Sequence, residues 1–138
     1  MVKTIPVLQH FQNIYLLIIN FIKEQSSKDF VNDIVELALE KRAENVISLE
    51  VDKISSITDY FIICSANTEP QVKAICDNIR KNTNYKPNHI EGYQKLNWVL
   101  LDYLDVIIHV FKSEHRKFYD FESLWADAPL EEFVDEKS

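Results

Sequence analysis

The fold is decided by residues 97–111, which read NWVLLDYLDVIIHVF. Two apolar, β-rich runs, 97–103 and 105–111, follow each other almost without a gap, and this pattern predicts a β-hairpin. If the turn is centred on Tyr103 and Leu104, a loop of two residues and a loop of four residues give the same cross-strand pairs. Those pairs are Asp102 with Asp105, Leu100 with Ile107, and Trp98 with His109.

Alternation of side chains across a strand gives this hairpin two unlike faces. The aliphatic face carries Val99, Leu101, Val106, Ile108 and Val110, and we expect it to lie on the core. The mixed face is either covered by a helix or exposed as a recognition surface, since an exposed Trp, Leu and acid resemble an interface hot spot. The mixed face carries Trp98, Leu100, Asp102, Asp105, Ile107 and His109.

Five more elements are predicted around the hairpin. Residues 29–42 have one apolar helical stripe, and residues 46–51 and 58–64 are β-rich. Thr68 is placed to cap a helix that ends before Asn82, with a loop over 82–88. Ser113 is placed to cap a last helix to about Trp125. The order α-β-β-α-β-β-α predicts an α/β (α+β) domain with a mixed sheet of four to five strands and helices packed on it.

The N-terminal residues differ from the rest of the chain. Residues 1–27 form an extension that is either an added amphipathic helix or the product of a start codon placed too far upstream. The densest apolar run, 14–22, is too short to span a bilayer, and we expect no membrane segment or signal peptide. The residues at helical spacing are Val7, Leu8, Phe11, Ile14, Tyr15, Ile18, Phe21 and Ile22.

Charge and glycine content exclude several classes of protein. The net charge is −7, and residues 120–138 hold seven acids and one lysine, so that segment carries −6. A neutral body with an acidic tail is a poor nucleic-acid binder, and the tail either meets a basic protein or only keeps the chain soluble. The one glycine, Gly92, cannot supply the glycine-rich turns of dinucleotide sites, P-loops or serine hydrolases.

No catalytic, metal or cofactor site is expected. Cys64 and Cys76 lie in apolar settings and are predicted to be buried free thiols of a reducing compartment. A metal-dependent enzyme would have to use Asp102, Asp105 or Asp59 with Mg²⁺. His109 is more readily interpreted as structural than as a general base.

Several segments, taken in order, resemble the ribosomal silencing factor (Iojap-like) family over about residues 28–128. The resemblance depends on their combination and spacing, since no single segment is specific. They are residues 59–65 (DYFIICS), Gln71-Val72, Glu91-Gly92, residues 98–103 (WVLLDY) and 105–111 (DVIIHVF), then Arg116, Tyr119, Glu122 and Leu124-Trp125.

The resemblance implies a non-enzymatic cytoplasmic factor with a nucleotidyltransferase-like fold that lacks the catalytic motif. Members bind the large ribosomal subunit through its ribosomal protein fourteen, at the face that meets the small subunit. They block subunit joining and repress translation when nutrients are scarce. The resemblance implies no cofactor, no direct nucleic-acid specificity and no membrane. The competing hypotheses are a nucleotidyltransferase-like enzyme and a homodimeric scaffold that pairs through the mixed face.

The resemblance also suggests contact residues. Trp98 and Leu100 would be apolar anchors, Asp102 would pair with a Lys or Arg of the ribosomal protein, and Tyr103 would lie at the turn. The resemblance adds seven further contact candidates, several of which would only hold the fold: Asp59, Tyr60, Glu91, Gly92, His109, Arg116 and Tyr119.

Two positions depart from the family pattern, and the chain ends in a tail. Leu104 replaces the glycine of the hairpin turn, where a positive φ would strain it, and Ala66 replaces a second glycine. Residues 129–138 are predicted to be an acidic tail outside the domain of residues 28–128.

Overall fold

A six-stranded mixed sheet organises the protein, whose computed structural model describes residues 7–135. The strands lie in the order β3-β4-β5-β2-β1-β6, and only β2 and β5 run parallel. The elements are α1 (Val7–Glu40), β1 (Glu44–Glu50), β2 (Tyr60–Ala66), α2 (Glu69–Asn82), β3 (His89–Glu91), β4 (Trp98–Asp102), β5 (Val106–Lys112), α3 (Ser113–Tyr119), a 3₁₀ helix (Phe121–Trp125) and β6 (Leu130–Phe133). The predicted class is confirmed, with one or two strands more than expected.

The main core lies between the aliphatic face and two helices. The C-terminal half of α1 contributes Ile34 and Ala38, and α2 contributes Val72 and Ile79, all fully buried. Val99, Leu101, Val106, Ile108 and Val110 of the hairpin are buried against this layer, as alternation predicts.

A smaller core lies on the other side of the sheet. The 3₁₀ helix places Phe121 and Trp125 over Phe61, with ring centroids 5.4 and 5.0 Å away. Phe111 and Ile63 are buried in the same cluster. The mixed face of the hairpin belongs to this side of the sheet. This side is therefore covered over β5, β2 and β1.

The hairpin turn lies one residue later than the sequence suggested. Trp98 pairs with Phe111 and not with His109, so the predicted pairing is wrong by two residues. The Tyr103 N–H donates to the Val106 carbonyl at 2.9 Å, which leaves Leu104 and Asp105 at the turn. The Asp102 carboxylate accepts a hydrogen bond from the Leu104 N–H at 2.8 Å. An even shift keeps every side chain on its predicted face. Leu104 has φ 73°, the conformation expected of the glycine it replaces.

Two strands were not predicted from the sequence. β3 lies just beyond the expected loop and pairs with β4. β6 lies inside the predicted acidic tail, where Leu130 pairs with Leu49 and Phe133 with Val46. Residues 136–138 of that tail lie outside the described residues.

The helix ends differ in places from the expectations. Thr68 caps α2 as predicted, accepting from the Gln71 N–H at 3.3 Å, but α2 includes Asn82. The Ser113 cap is wrong, because Ser113 lies inside α3 and the N-cap is Lys112. A left-handed Asp120 divides the expected last helix into α3 and the 3₁₀ helix.

One continuous helix, α1, replaces the expected helix over 29–42. It begins at Val7 and passes the predicted boundary at residues 27/28 without a break. The first six residues of the predicted extension lie outside the described residues, and that boundary stays a prediction. Both cysteines are free and buried, as predicted, and burial raises the pKa of the Cys64 thiol to about 12.

Candidate functional site

The mixed face remains open along the edge strand β3 and its neighbour β4. Leu100 pairs with Glu91, and Asp102 pairs with His89, so these four side chains lie on one face together with Trp98. We call these five residues the edge surface. Trp98, Leu100 and Asp102 are half-buried, whereas His89 and Glu91 are exposed.

Contacts with three neighbouring side chains fix the position of the Trp98 ring. Its indole ring stacks on Phe111 at 4.7 Å between centroids and lies 5.4 Å from the exposed ring of Tyr119. Its Nε1–H donates a hydrogen bond to His109 Nδ1 at 2.9 Å. Trp98 therefore belongs to the smaller core and to the surface at once.

His109 supports Trp98 from inside the sheet. Because Nδ1 accepts the indole hydrogen bond, the ring is neutral and carries its hydrogen on Nε2, which has no polar partner within residues 7–135. Burial lowers the pKa of the imidazole to about 3, so it stays uncharged at neutral pH. This environment suits a positioning residue beneath the edge surface.

Asp102 stabilises the hairpin turn and also contributes a charge to the edge surface. One carboxylate oxygen accepts from the Leu104 N–H, and the other has no hydrogen-bond or ion-pair partner among the described residues. The half-buried carboxylate thus presents an unpaired negative charge beside Leu100. A cationic side chain from another molecule is the natural partner for it.

Gly92 allows β3 and β4 to approach each other. Its φ is 76°, and a β-carbon there would lie 2.1 Å from the carbonyl oxygen of Trp98. Its own carbonyl accepts from the Leu96 N–H at 3.0 Å, which closes the β3–β4 connection. Just before it, Glu91 Oε1 meets His89 Nε2 at 2.6 Å on the surface.

Four of the eleven predicted contact residues make their contacts away from the edge surface: Tyr103, Tyr60, Asp59 and Arg116. Tyr103 points to the opposite face, where its hydroxyl lies 3.2 Å from Thr83 Oγ1 and its ring meets Phe30 edge-on at 5.3 Å. Tyr60 packs against the main core on the same side. Asp59 directly precedes β2, and burial together with the Asp105 carboxylate raises its pKa.

Arg116 holds α3 to the sheet. Its Nε donates to Glu122 at 2.6 Å, and its Nη1 donates to the Asn45 carbonyl at 2.7 Å and to the Ser65 hydroxyl at 3.1 Å. Its side chain is only 12% exposed, so these partners occupy it. Tyr119, in contrast, is exposed on α3 beside Trp98 and extends the apolar part of the edge surface.

Sequence reasoning missed His89 on this surface. The reason is that residues 89–91 lie next to the predicted loop, and a three-residue strand shows almost no periodicity. The polar-apolar-polar order of His89, Ile90 and Glu91 was the available signal.

Within residues 7–135, no group of three or more His, Cys, Asp or Glu side chains is arranged to hold a metal ion. None of the helices described in that range has both the length and the apolar character needed to cross a bilayer.

Comparison with known proteins extends the resemblance across the domain. Residues 24–138 match the family described as ribosomal silencing factor during starvation. The chain is 38% identical over 110 residues to the ribosomal silencing factor RsfS of Halalkalibacterium halodurans, covering 78% of this chain and 94% of that protein. It is 40% identical over 94 residues to RsfS of Bacillus subtilis, covering 66% and 80%.

Solved structures agree with this relationship. A crystal structure of a protein from Bacillus halodurans has a TM-score of 0.67 and 34% identity, covering 77% of this chain and 99% of that one. The protein CV0518 from Chromobacterium violaceum has a TM-score of 0.69 and 25% identity, covering 78% and 92%. The family match spans the whole sheet, including the strands that carry the edge surface, and the chain therefore belongs to the ribosomal silencing factor family.

Proposed function

We propose that this protein binds the large ribosomal subunit through ribosomal protein fourteen of that subunit, and that the edge surface makes the contact. By covering the face that meets the small subunit, it blocks subunit joining and represses translation in the cytoplasm. This mechanism is steric and uses no catalytic residue or cofactor.

The observation that carries the proposal is the structure of the edge surface itself. Trp98 and Leu100 are fixed apolar groups with part of their surface open to solvent. The Trp98 ring is locked by the Phe111 stack and the His109 hydrogen bond. A preorganised aromatic anchor loses little conformational entropy on binding, which is typical of interface hot spots.

The charges of the edge surface favour a basic protein as the partner. Asp102 has an unpaired carboxylate oxygen, and Glu91 adds a second acid nearby. Two carboxylates repel the phosphates of ribosomal RNA, whereas they attract Lys and Arg side chains of a ribosomal protein.

The residues away from the edge surface have supporting roles in this proposal. Gly92 and His109 shape the surface, Tyr119 widens it, and Tyr103, Tyr60, Asp59 and Arg116 maintain the domain. We therefore expect substitutions in this last group to act on binding only through stability.

Sedimentation through a density gradient tests the proposal. The protein should travel with purified large subunits and should be absent from intact ribosomes that were assembled beforehand. When it is added to large subunits first, small subunits should fail to join them. Binding to intact ribosomes as well as to free large subunits would contradict the steric mechanism, and binding to neither would contradict the proposed partner.

A further inference from the structure

The N-terminal part of α1 extends beyond the domain as an uncovered helix. Every residue from 7 to 26 is exposed, and the first buried residue of α1 is Ser27. We call residues 7–26 the arm, and at 1.5 Å per residue it is roughly 30 Å long. Because the rest of α1 is packed on the sheet, the arm continues a helix that has already been nucleated.

The arm exposes far more apolar surface than a monomer usually does. Eleven large apolar side chains between Val7 and Ile22 are 41–71% exposed. Together they present roughly 1,000 Å² of apolar surface, above the few hundred Å² typical of the largest patch on a soluble monomer. Surface of this extent indicates that another molecule covers it.

Eight of the eleven apolar residues follow the spacing of a coiled-coil seam, and Leu16, Leu17 and Ile19 lie outside it. In one row along the helix, successive apolar residues are four, three, four and three positions apart. In a second row, which lies directly beside the first, they are seven positions apart. They therefore occupy the a, d and e positions of two heptads. The first row is Val7, Phe11, Ile14, Ile18 and Phe21, and the second is Leu8, Tyr15 and Ile22.

The protein's own domain cannot cover this seam. The face of α1 that packs on the domain is Ser27, Val31, Ile34 and Ala38, which also follow steps of four and three. At 3.6 residues per turn, that face and the seam lie on roughly opposite sides of the helix axis. The seam thus points away from the side on which the domain lies.

We propose that the arm pairs with the arm of a second copy of this chain and so forms a homodimer. Residues 7–22 contain no Asp, Glu, Lys or Arg. This stretch of the arm therefore has no Lys or Arg to attract lipid headgroups or nucleic acid, whereas an identical apolar seam is self-complementary about a two-fold axis.

The area available is sufficient for such a dimer. If each of the eight seam residues buries roughly 60 Å², the pair buries about 1,000 Å² in total, which is close to the lower limit for a specific interface. The arm extends from the helix that covers the aliphatic face, whereas the edge surface lies on the mixed face. The dimer therefore leaves the edge surface free, unlike a scaffold that pairs through the mixed face.

The mass of the full chain in solution tests the pairing. Light scattering should give twice the 16.2 kDa chain mass. The double variant Ile14→Glu, Ile18→Glu places charges in the seam and should give a single chain. Asn13→Glu, Asn20→Glu introduces the same charges outside the seam and should remain a dimer. All three proteins should keep the same cooperative unfolding of the domain by circular dichroism.

Cross-linking gives a second readout at the seam. Both native cysteines are buried, so an introduced thiol is the reactive one. Ile14→Cys should form a disulfide-linked dimer on mild oxidation, and Asn13→Cys on the neighbouring side of the helix should not. A monomeric parent chain would overturn the proposal, as would a mass above two chains. A dimer that survives the seam variant, or a monomer that floats with phosphatidylcholine vesicles, would also overturn it.

Discussion

Leu104 combines a bulky side chain with a backbone conformation that suits glycine. It has φ 73° and is 60% exposed, so its side chain contributes little burial while its β-carbon is strained. The sequence identified this position, because a resemblance at residues 102–105 showed which residue was replaced. The positive φ itself could be read only from the structure.

Replacing Leu104 with glycine should therefore stabilise the domain. A left-handed non-glycine residue costs about 1–2 kcal/mol, and the added chain entropy of glycine offsets part of the gain. We expect the free energy of unfolding in urea to rise by roughly 0.5–1 kcal/mol. Leu124→Gly, at an exposed leucine without a positive φ, should lower it. A destabilised Leu104→Gly protein would show that this side chain contributes to packing after all.

His109 should make stability depend on pH. Its pKa falls from an ordinary value near 6.5 to about 3 in the folded protein, so the unfolded chain binds a proton first as the pH drops. This group therefore destabilises the fold progressively from pH 6.5 down to about pH 3, by about 1.4 kcal/mol per unit.

Urea unfolding at pH 7 and pH 5 measures this effect. Between these two values the wild type should lose about 2 kcal/mol more than His109→Asn, which keeps an acceptor for the Trp98 indole. Equal losses in the two proteins would mean that His109 is protonated as easily when folded as when unfolded.

Among the secondary-structure elements, the periodicity of apolar residues predicted the long strands and helices but not the short strands. The hairpin and α2 are long enough for alternation or a helical stripe to dominate. β3 has three residues and β6 has four, which is too short for alternation to stand out. β6 also depends on pairing with β1, which is distant in the sequence, and a local pattern does not carry that information.

β6 gives the acidic segment a structural role that can be measured. Phe133 is half-buried against the main core opposite Val46, whereas the next residue, Val134, is exposed. We expect Phe133→Ala to lower the free energy of unfolding by about 1–3 kcal/mol and Val134→Ala to change it by less than about 0.5 kcal/mol. Equal effects from the two substitutions would mean that β6 is not held to the sheet in solution.

In the whole molecule, the sheet separates two surfaces with different properties, the edge surface and the arm. The edge surface lies on the mixed face and carries a locked tryptophan beside an unpaired carboxylate. The arm extends from the helix packed on the other face. The sequence predicted both sets of apolar residues. It could not tell that one set is half-covered by the 3₁₀ helix and that the other points away from the domain.

The proposed contact between the edge surface and ribosomal protein fourteen of the large subunit depends on the charge of Asp102. Asp102→Asn tests it with little structural change, because the amide oxygen can still accept from the Leu104 N–H while the charge is lost. Asp33→Asn is the matched control, since Asp33 is an exposed acid on α1 behind the sheet.

The decisive measurement is the dissociation constant of each protein for purified ribosomal protein fourteen, determined by calorimetry at one salt concentration. We expect tight binding by the wild type and by Asp33→Asn, and binding at least tenfold weaker by Asp102→Asn, with unchanged thermal unfolding in all three. Equal affinity of Asp102→Asn and the wild type would show that Asp102 does not contact ribosomal protein fourteen.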